Sequence, residues 1–297
     1  MTPTDPQGPA AAVPEAAVPS GKGADDENFP VGSLLIDARL RPTVKAFYAV
    51  ARAADDVADD PGLAPQDKLL RLGAFRQALE GRTDAPAVAA RARRALTAAG
   101  VPVAHALRLL DAFERDAVTG RCDDWHDLMG YCAASAAPVG RFLLDLHGED
   151  AACVPASDAL CAALQVINHL QDCRDDYRTL DRVYLPADWL AAEAATVEQL
   201  AADAAGPGLR RVLDRCLDRV DGLLAAARPL PLALRSTRLA LEAAAILRLA
   251  EVLSAALKTR DPLAGPVRLS RPAMLWHGGT AAALCLLRRL AGHRRPA

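Results

Sequence analysis

The sequence lacks most of the features that would make its role easy to assign, and each gap excludes something. Its 35 basic and 37 acidic residues leave a formal charge of −2, too little to draw the whole chain onto nucleic acid or an acidic membrane. Basic residues do not interleave with aromatics as they do on a nucleic-acid surface, so no nucleic-acid partner is expected. The seven cysteines are an odd number and none pairs as C-x-x-C. They are expected to be reduced core residues, with no structural zinc site. No run of about 18 uncharged apolar residues occurs, so no membrane-spanning helix is expected. The first 27 residues lack the basic-then-apolar order of a signal peptide. Together these gaps point to a cytoplasmic protein. There is no G-x-S-x-G for serine chemistry, and the six histidines are dispersed without a partner pattern.

What remains is a helical text. Residues 1–27 are Pro- and Ala-rich, poor in large apolar residues, and read as a disordered leader. From residue 28 onward, apolar residues recur at three- and four-residue spacing. One stripe is Leu69, Leu70, Leu72, Phe75 and Leu79; another is Val103, Leu107, Leu110 and Phe113; a third is Leu241, Ala245, Leu249 and Leu253. Pro61-Gly62, Gly81, Gly100, Gly120, Gly148, Pro155, Pro186, Gly206-Pro207 and Pro262 punctuate them. Alternating strand patterns and fixed-length repeats are absent. The expectation is one all-α domain over 28–292, with nine or ten helices. Residues 270–295 combine an apolar centre with Arg288, Arg289, Arg294 and Arg295. They suit either a last core helix or one resting on a membrane surface. The three tryptophans are expected to serve packing.

Two acidic stretches carry the chemistry. In ARAADDVADDP, residues 51–61, Asp55 and Asp59 are four apart, so on a helix their Cβ atoms lie about 6 Å apart on one face. Asp56 and Asp60 repeat the pair one residue on. Such carboxylates would face the negative end of the helix dipole. A solvated acidic turn is the plain reading of this stretch taken alone. In NHLQDCRDDYRTLDRVYLP, residues 168–186, Asn168, Asp172 and Asp176 form an i, i+4, i+8 stripe about 12 Å long. Leu164, Val166, Ile167 and Leu170 commit the same helix to the core. Polar groups on a core helix are costly unless satisfied, so two such helices argue for a shared ligand. Paired carboxylates suit a hard cation such as Mg²⁺. Bridged by Mg²⁺, two acidic clusters can hold a diphosphate and stabilise it as a leaving group. Arg52 and Arg182 are the candidates for direct phosphate contacts. A turn of about 100° per residue aims His169 away from the Asn168 stripe.

These stretches resemble the two aspartate-rich motifs of the squalene/phytoene synthase family. FYAVARAADDVADD is similar to the first. NHLQDCRDDYRTLDRVYLP is similar to the second, including its Arg182, Tyr184 and Pro186 ending. GYCAASAAPVGRFL, residues 130–143, resembles the family's central helix, with Tyr131 and Val139-Gly140. The resemblance spans residues 28–258. Within the family, ENFPVGS and RLRP look most like the hydroxysqualene-forming branch. The condensing members usually carry a Ser/Lys-containing stretch before the position of Phe29, Cys at that of Ala51 and Arg at that of Gln171.

The resemblance implies a helical bundle around a central active-site cavity. It implies Mg²⁺-dependent ionisation of a prenyl diphosphate lipid, presqualene diphosphate, with water capturing the rearranged cation. No nicotinamide cofactor is expected. By position, Asp55, Asp59, Asn168, Asp172 and Asp176 would be metal ligands, with Asp56, Asp60 and Asp175 as outer or alternative ones. Tyr48, Arg52, Gln165, Arg182 and Tyr184 would contact diphosphate or orient those ligands. Asn28, Phe29 and Ser33 would sit at the substrate mouth, and Tyr131 would face the cation or serve as a core tyrosine with a satisfied hydroxyl. A lipid substrate makes peripheral contact with the inner membrane surface plausible. Two alternatives stay open: a head-to-head condensing synthase, and a non-catalytic protein that kept the fold.

Overall fold

Helix punctuation decides the architecture. The computed structural model describes residues 37–292, and that span runs through α1 (Arg41–Asp59), α2 (Pro65–Leu79), α3 (Ala87–Ala98), α4 (Ala104–Asp116), β1 (Arg121–Cys122), α5 (Trp125–Ser135), α6 (Ala137–Leu146), α7 (Val154–Leu180), β2 (Val183–Pro186), α8 (Ala187–Ala192), α9 (Pro207–Ala227), α10 (Leu230–Ala233), α11 (Thr237–Thr259) and α12 (Arg271–Gly292). Ten of the twelve helices have ten or more residues, as the spacing predicts. The predicted leader, residues 1–27, lies outside the described residues, and so do Asn28, Phe29 and Ser33.

Several expectations are corrected. Pro155 opens a helix rather than ending one: it stands in the first turn of α7, where proline's missing N–H is not needed. Leu69 and Leu70 are exposed and only Leu72, Phe75 and Leu79 of their stripe are buried, because α2 packs on one side only. Residues 121–122 and 183–186 pair as a short parallel ladder, too brief to leave an alternating signature. It works as a clip. Gly120 lets the chain pass close to the end of α7, since a Cβ there would lie 2.6 Å from the Asp181 carbonyl oxygen. Arg121 Nη2 donates to Asp181 Oδ1 at 2.7 Å.

Two large apolar clusters make most of the core, and Ala112, Tyr131 and Ala134 form a small third. Val44, Phe47, Val50 and Ala54 of α1 pack with α2–α4 and with Phe142 and Leu146 of α6. Ala163, Val166, Ile167 and Leu170 of α7 pack with α9 and α11. Phe47 and Phe142 stack, centroids 4.0 Å apart, tying α6 to the first cluster while its Leu144 belongs to the second. All seven cysteines are free, six of them buried. Trp125 and Trp189 stack at 5.5 Å as packing residues, but Trp276 is 69% exposed and does not pack. Among the described residues, Ala151–Leu180 alone is long and apolar enough to cross a membrane by composition. It is walled by α5, α6, α9 and α11 and carries the polar stripe, which makes it the central helix of the bundle.

α6 and α7 approach closely at Gly140. A Cβ there would meet Ser157 Oγ at 2.5 Å and Cys161 Sγ at 2.7 Å. Both are short side chains with little room to yield. Gly140→Ala should therefore lower stability by about 1–3 kcal/mol through overpacking, measured by denaturant unfolding. An unchanged midpoint would mean the helices separate freely there.

Candidate active site

The first acidic stretch occupies the last turn and a half of α1. Val44, Phe47, Val50, Ala54 and Ala58 face the core, which turns Arg52, Asp55, Asp56 and Asp59 away from it, with Asp59 meeting Arg182. Arg52 lies between two carboxylates: Nη1 is 3.0 Å from Asp55 Oδ2 and Nη2 is 3.1 Å from Asp56 Oδ1. Tyr48, half-buried, stands one turn earlier on the same face. Asp60 accepts the Gly62 amide at 2.8 Å and so shapes the turn that ends α1.

Burial, with the Asp59 carboxylate beside it, pushes the Asp55 carboxyl up from 3.8 to about 7, although Arg52 and Arg182 pull it down. The end of α1 holds two cations. Arg182 Nη1 donates to Asp59 Oδ1 at 2.5 Å and its Nη2 to the Ala58 carbonyl at 2.9 Å. Lys68 Nζ donates to the same carbonyl at 2.7 Å. Burial works against the charge of Arg182, but Asp116, Tyr184 and Asp59 outweigh it and hold the guanidinium above its ordinary value. Burial, then Arg182, lowers the Lys68 ammonium.

The second stretch runs along α7. Asn168 Oδ1 is buried with no hydrogen-bond partner among the described residues. Asp172 and Asp176 are half-buried on the same helix, while Asp175 is 75% exposed beside Arg174. Gln165 Nε2 lies 3.1 Å from His169 Nε2. His169 is a correction. It is buried, stacks on Tyr184 at 3.7 Å and puts Nδ1 4.0 Å from Asp176 Oδ2. Asp176 is seven residues on, two helical turns, so it returns to nearly the same face. The ring turns away from Asn168, one residue back, and toward Asp176, two turns on.

Behind this face sits a carboxylate with no motif around it. Asp116, the last residue of α4, accepts from Tyr131 Oη at 2.7 Å and Tyr184 Oη at 3.1 Å. Burial raises its carboxyl, with Arg182 and the two hydroxyls opposing. Burial lifts both phenols well above the usual tyrosine range, so at neutral pH they remain donors. Tyr131 is thus a core residue with a satisfied hydroxyl that also lines the aromatic wall. Sequence reasoning missed Asp116 because its partners lie 15 and 68 residues away. It missed Lys68 too. A signal was present there: a lysine in the first turn of a helix opposes the dipole.

Comparison with known proteins settles the family. The squalene/phytoene synthase profile matches residues 23–273. This chain belongs to the squalene/phytoene synthase family. It is 46% identical over 250 residues to a hydroxysqualene synthase of Rhodopseudomonas palustris, covering 84% of this chain and 86% of that one. It is 43% identical over 267 residues to a hydroxysqualene synthase of Sinorhizobium fredii, covering 90% and 91%. Among solved structures, a squalene synthase from Alicyclobacillus acidocaldarius superposes with a TM-score of 0.68 at 32% identity, over 80% of this chain and 89% of that one.

Asp55 gives the family site a stability test. In the unfolded chain the acid ionises at 3.8; in the fold it keeps its proton to about 7. Below the lower value both states are protonated and nothing is lost. As pH rises between the two values, folding is progressively penalised, and above them the penalty is full. In metal-free buffer, Asp55→Asn should therefore melt higher than wild type at pH 8, by about 2–4 °C for each kcal/mol recovered. The gain should vanish near pH 4, while activity is lost at every pH. A variant that melts lower at pH 8 would show that the Arg52 pair outweighs the burial.

Proposed function

We propose that this chain is a hydroxysqualene synthase that ionises presqualene diphosphate and lets water capture the rearranged cation, releasing hydroxysqualene and diphosphate. The observation that carries the reading is the joining of two acid-bearing helices by one buried arginine, in a chain 46% identical to a hydroxysqualene synthase over most of its length. The donor set fits Mg²⁺: carboxylates at Asp55, Asp59, Asp172 and Asp176, and at Asn168 a buried carbonyl oxygen that accepts nothing else. Among the described residues no three His, Cys, Asp or Glu side chains converge on one point. The donors are divided between α1 and α7, and both groups would hold the diphosphate with its Mg²⁺. Mg²⁺ bound there would neutralise the diphosphate as it departs.

The chain's own residues account for the rest. Arg52, Arg182 and Lys68 lie among the acids, so their donors are available to phosphate oxygens without a large movement. Val50, Ala51, Ala54, Leu109 and Phe113 close the space between α1 and α4 as packed apolar core. The ring faces of Tyr131, Tyr184 and His169 offer electron density to a carbocation. Asp116, with both oxygens occupied by tyrosine hydroxyls, is kept from attacking it. Water supplies the oxygen and loses its proton to solvent or to the departing diphosphate, so the reaction needs no reductant. Gln171, at the position where condensing members of the family carry arginine, donates instead to the Val267 carbonyl, which favours the water-capturing reading. A lipid substrate and product would place the enzyme in the cytoplasm at the inner membrane surface.

Purified protein with Mg²⁺ and no nicotinamide should convert presqualene diphosphate to hydroxysqualene, read by mass spectrometry, and leave farnesyl diphosphate alone. Asp172→Asn should slow that conversion about a hundredfold or more. Presqualene diphosphate made from farnesyl diphosphate would assign the condensing reaction instead. Inertness toward both, with full activity of a reference synthase in the same assay, would leave only a non-catalytic role.

A further inference from the structure

Helix α12 has two unlike sides. Gly278 and Cys285 are its buried positions. A Cβ on Gly278 would lie 3.5 Å from Ala245 of α11, and the Cys285 thiol points at the Pro231 and Ala240 carbonyls. At about 100° per residue, all five of Leu275, Trp276, Leu286, Leu287 and Leu290 fall outside that contact, with Trp276, Leu287 and Leu290 opposite it and Leu275 and Leu286 on its flank. They are 78%, 69%, 38%, 63% and 54% exposed. Of eleven large hydrophobic side chains exposed among the described residues, six belong to this helix. Single exposed leucines need no explanation, but six large apolar side chains exposed on one helix mark an interaction face.

Charge identifies the occupant. No Asp, Glu, Lys or Arg stands between Arg271 and Arg288, so the outer face is uninterrupted. The last acid of the chain is Asp261; beyond it come six arginines, at 268, 271, 288, 289, 294 and 295, in a protein whose overall charge is −2. A second copy of α12 laid against this face would bring arginine-bearing ends together with no acid to meet them. An anionic bilayer offers what both features need: acyl chains for the leucines, headgroup phosphates for the arginines, and an interface suited to an indole ring. We propose that α12 is an in-plane membrane-surface helix, seating its Leu275–Leu290 face in the headgroup–acyl boundary of an anionic bilayer and Arg271 and Arg288 at its ends on lipid phosphates, while Arg289 stays on the Pro231, Leu234 and Arg235 carbonyls. The inference stands on the helix alone and does not depend on which prenyl diphosphate the enzyme uses.

The test is flotation of the full chain with vesicles of equal parts phosphatidylglycerol and phosphatidylcholine, against vesicles of phosphatidylcholine alone. The protein should float with the anionic vesicles. The emission of Trp276 should shift to the blue and be quenched by brominated acyl chains; Trp125 and Trp189, stacked on each other, contribute little change. Combined Leu275→Ser, Trp276→Ser and Leu287→Ser should cut partitioning about a hundredfold. Arg271→Gln or Arg288→Gln should each cut it about fivefold. These side chains face solvent, so circular dichroism and melting should match wild type, and turnover of detergent-dispersed substrate should persist. Wild-type protein that stays with neither vesicle, or a serine variant that floats undiminished, overturns the proposal. So does a sedimentation dimer that the serine variant converts to monomer, since the face would then be an interface between copies.

Discussion

The carbonyl of Ala58, at the end of α1, accepts both Arg182 Nη2 and Lys68 Nζ, and the site is organised around that point. The last turn of α1 gathers Asp55, Asp56, Asp59 and Asp60 at the end of a helix where the backbone already presents unpaired carbonyls and partial negative charge. Left alone, that turn would fray or repel itself. Two cations converge on it from different parts of the chain. Lys68 comes from α2, returned by the Pro61-Gly62 turn. Arg182 comes from the far end of α7, held by the β1–β2 clip. Because Arg182 also pairs with Asp59 and is only 7% exposed, it must be paired to be tolerated there. The pairing fastens the first acidic stretch to the second.

That bond explains why the site lies on the seam between the two apolar clusters. α1 belongs to one and α7 to the other. A polar seam between two dry cores is where an anion can be met by charge at the edge of apolar packing. The same seam sets the chemistry that can survive. A carbocation is destroyed by the nearest nucleophile, so the walls must be electron-rich without being nucleophilic. Asp116 lies behind the aromatic wall, and Tyr131 and Tyr184 occupy both of its oxygens. Burial keeps those phenols protonated, so they stay donors to Asp116 rather than becoming phenolates.

The helices were readable because periodicity and punctuation are local. Gly81, Gly100 and Gly148 mark helix ends, each with a positive φ. The two acidic stretches were readable because four-residue spacing on an apolar helix is costly without a ligand, and that cost shows in the text. What could not be read was long-range or geometric. Asp116 has no neighbours in sequence that announce it. The role of His169 depends on counting two turns to Asp176 rather than one residue back to Asn168. The β1–β2 clip is too short for any alternation to register. The outward side of α2 could not be told from its inward side, because Leu69 and Leu70 look like Leu72 until the packing partners are known.

Asn168 shows how α7 can be both a core helix and half of a charged site. Its neighbours Val166, Ile167 and Leu170 are at most 1% exposed, so a third carboxylate at this depth would add its own desolvation cost to the repulsion already present near Asp172 and Asp176. An amide carbonyl supplies a hard oxygen with no net charge. Its cost is a buried acceptor with no partner, about 1–3 kcal/mol, smaller than that of a buried, unpaired charge. The gradient along the helix follows the same logic. The uncharged amide is deepest, Asp172 and Asp176 are half-buried further on, and Asp175, off the stripe, is open to water. The polarity of each position on α7 follows how much solvation its depth leaves, and the polar stripe extends into the core only as far as a neutral side chain allows.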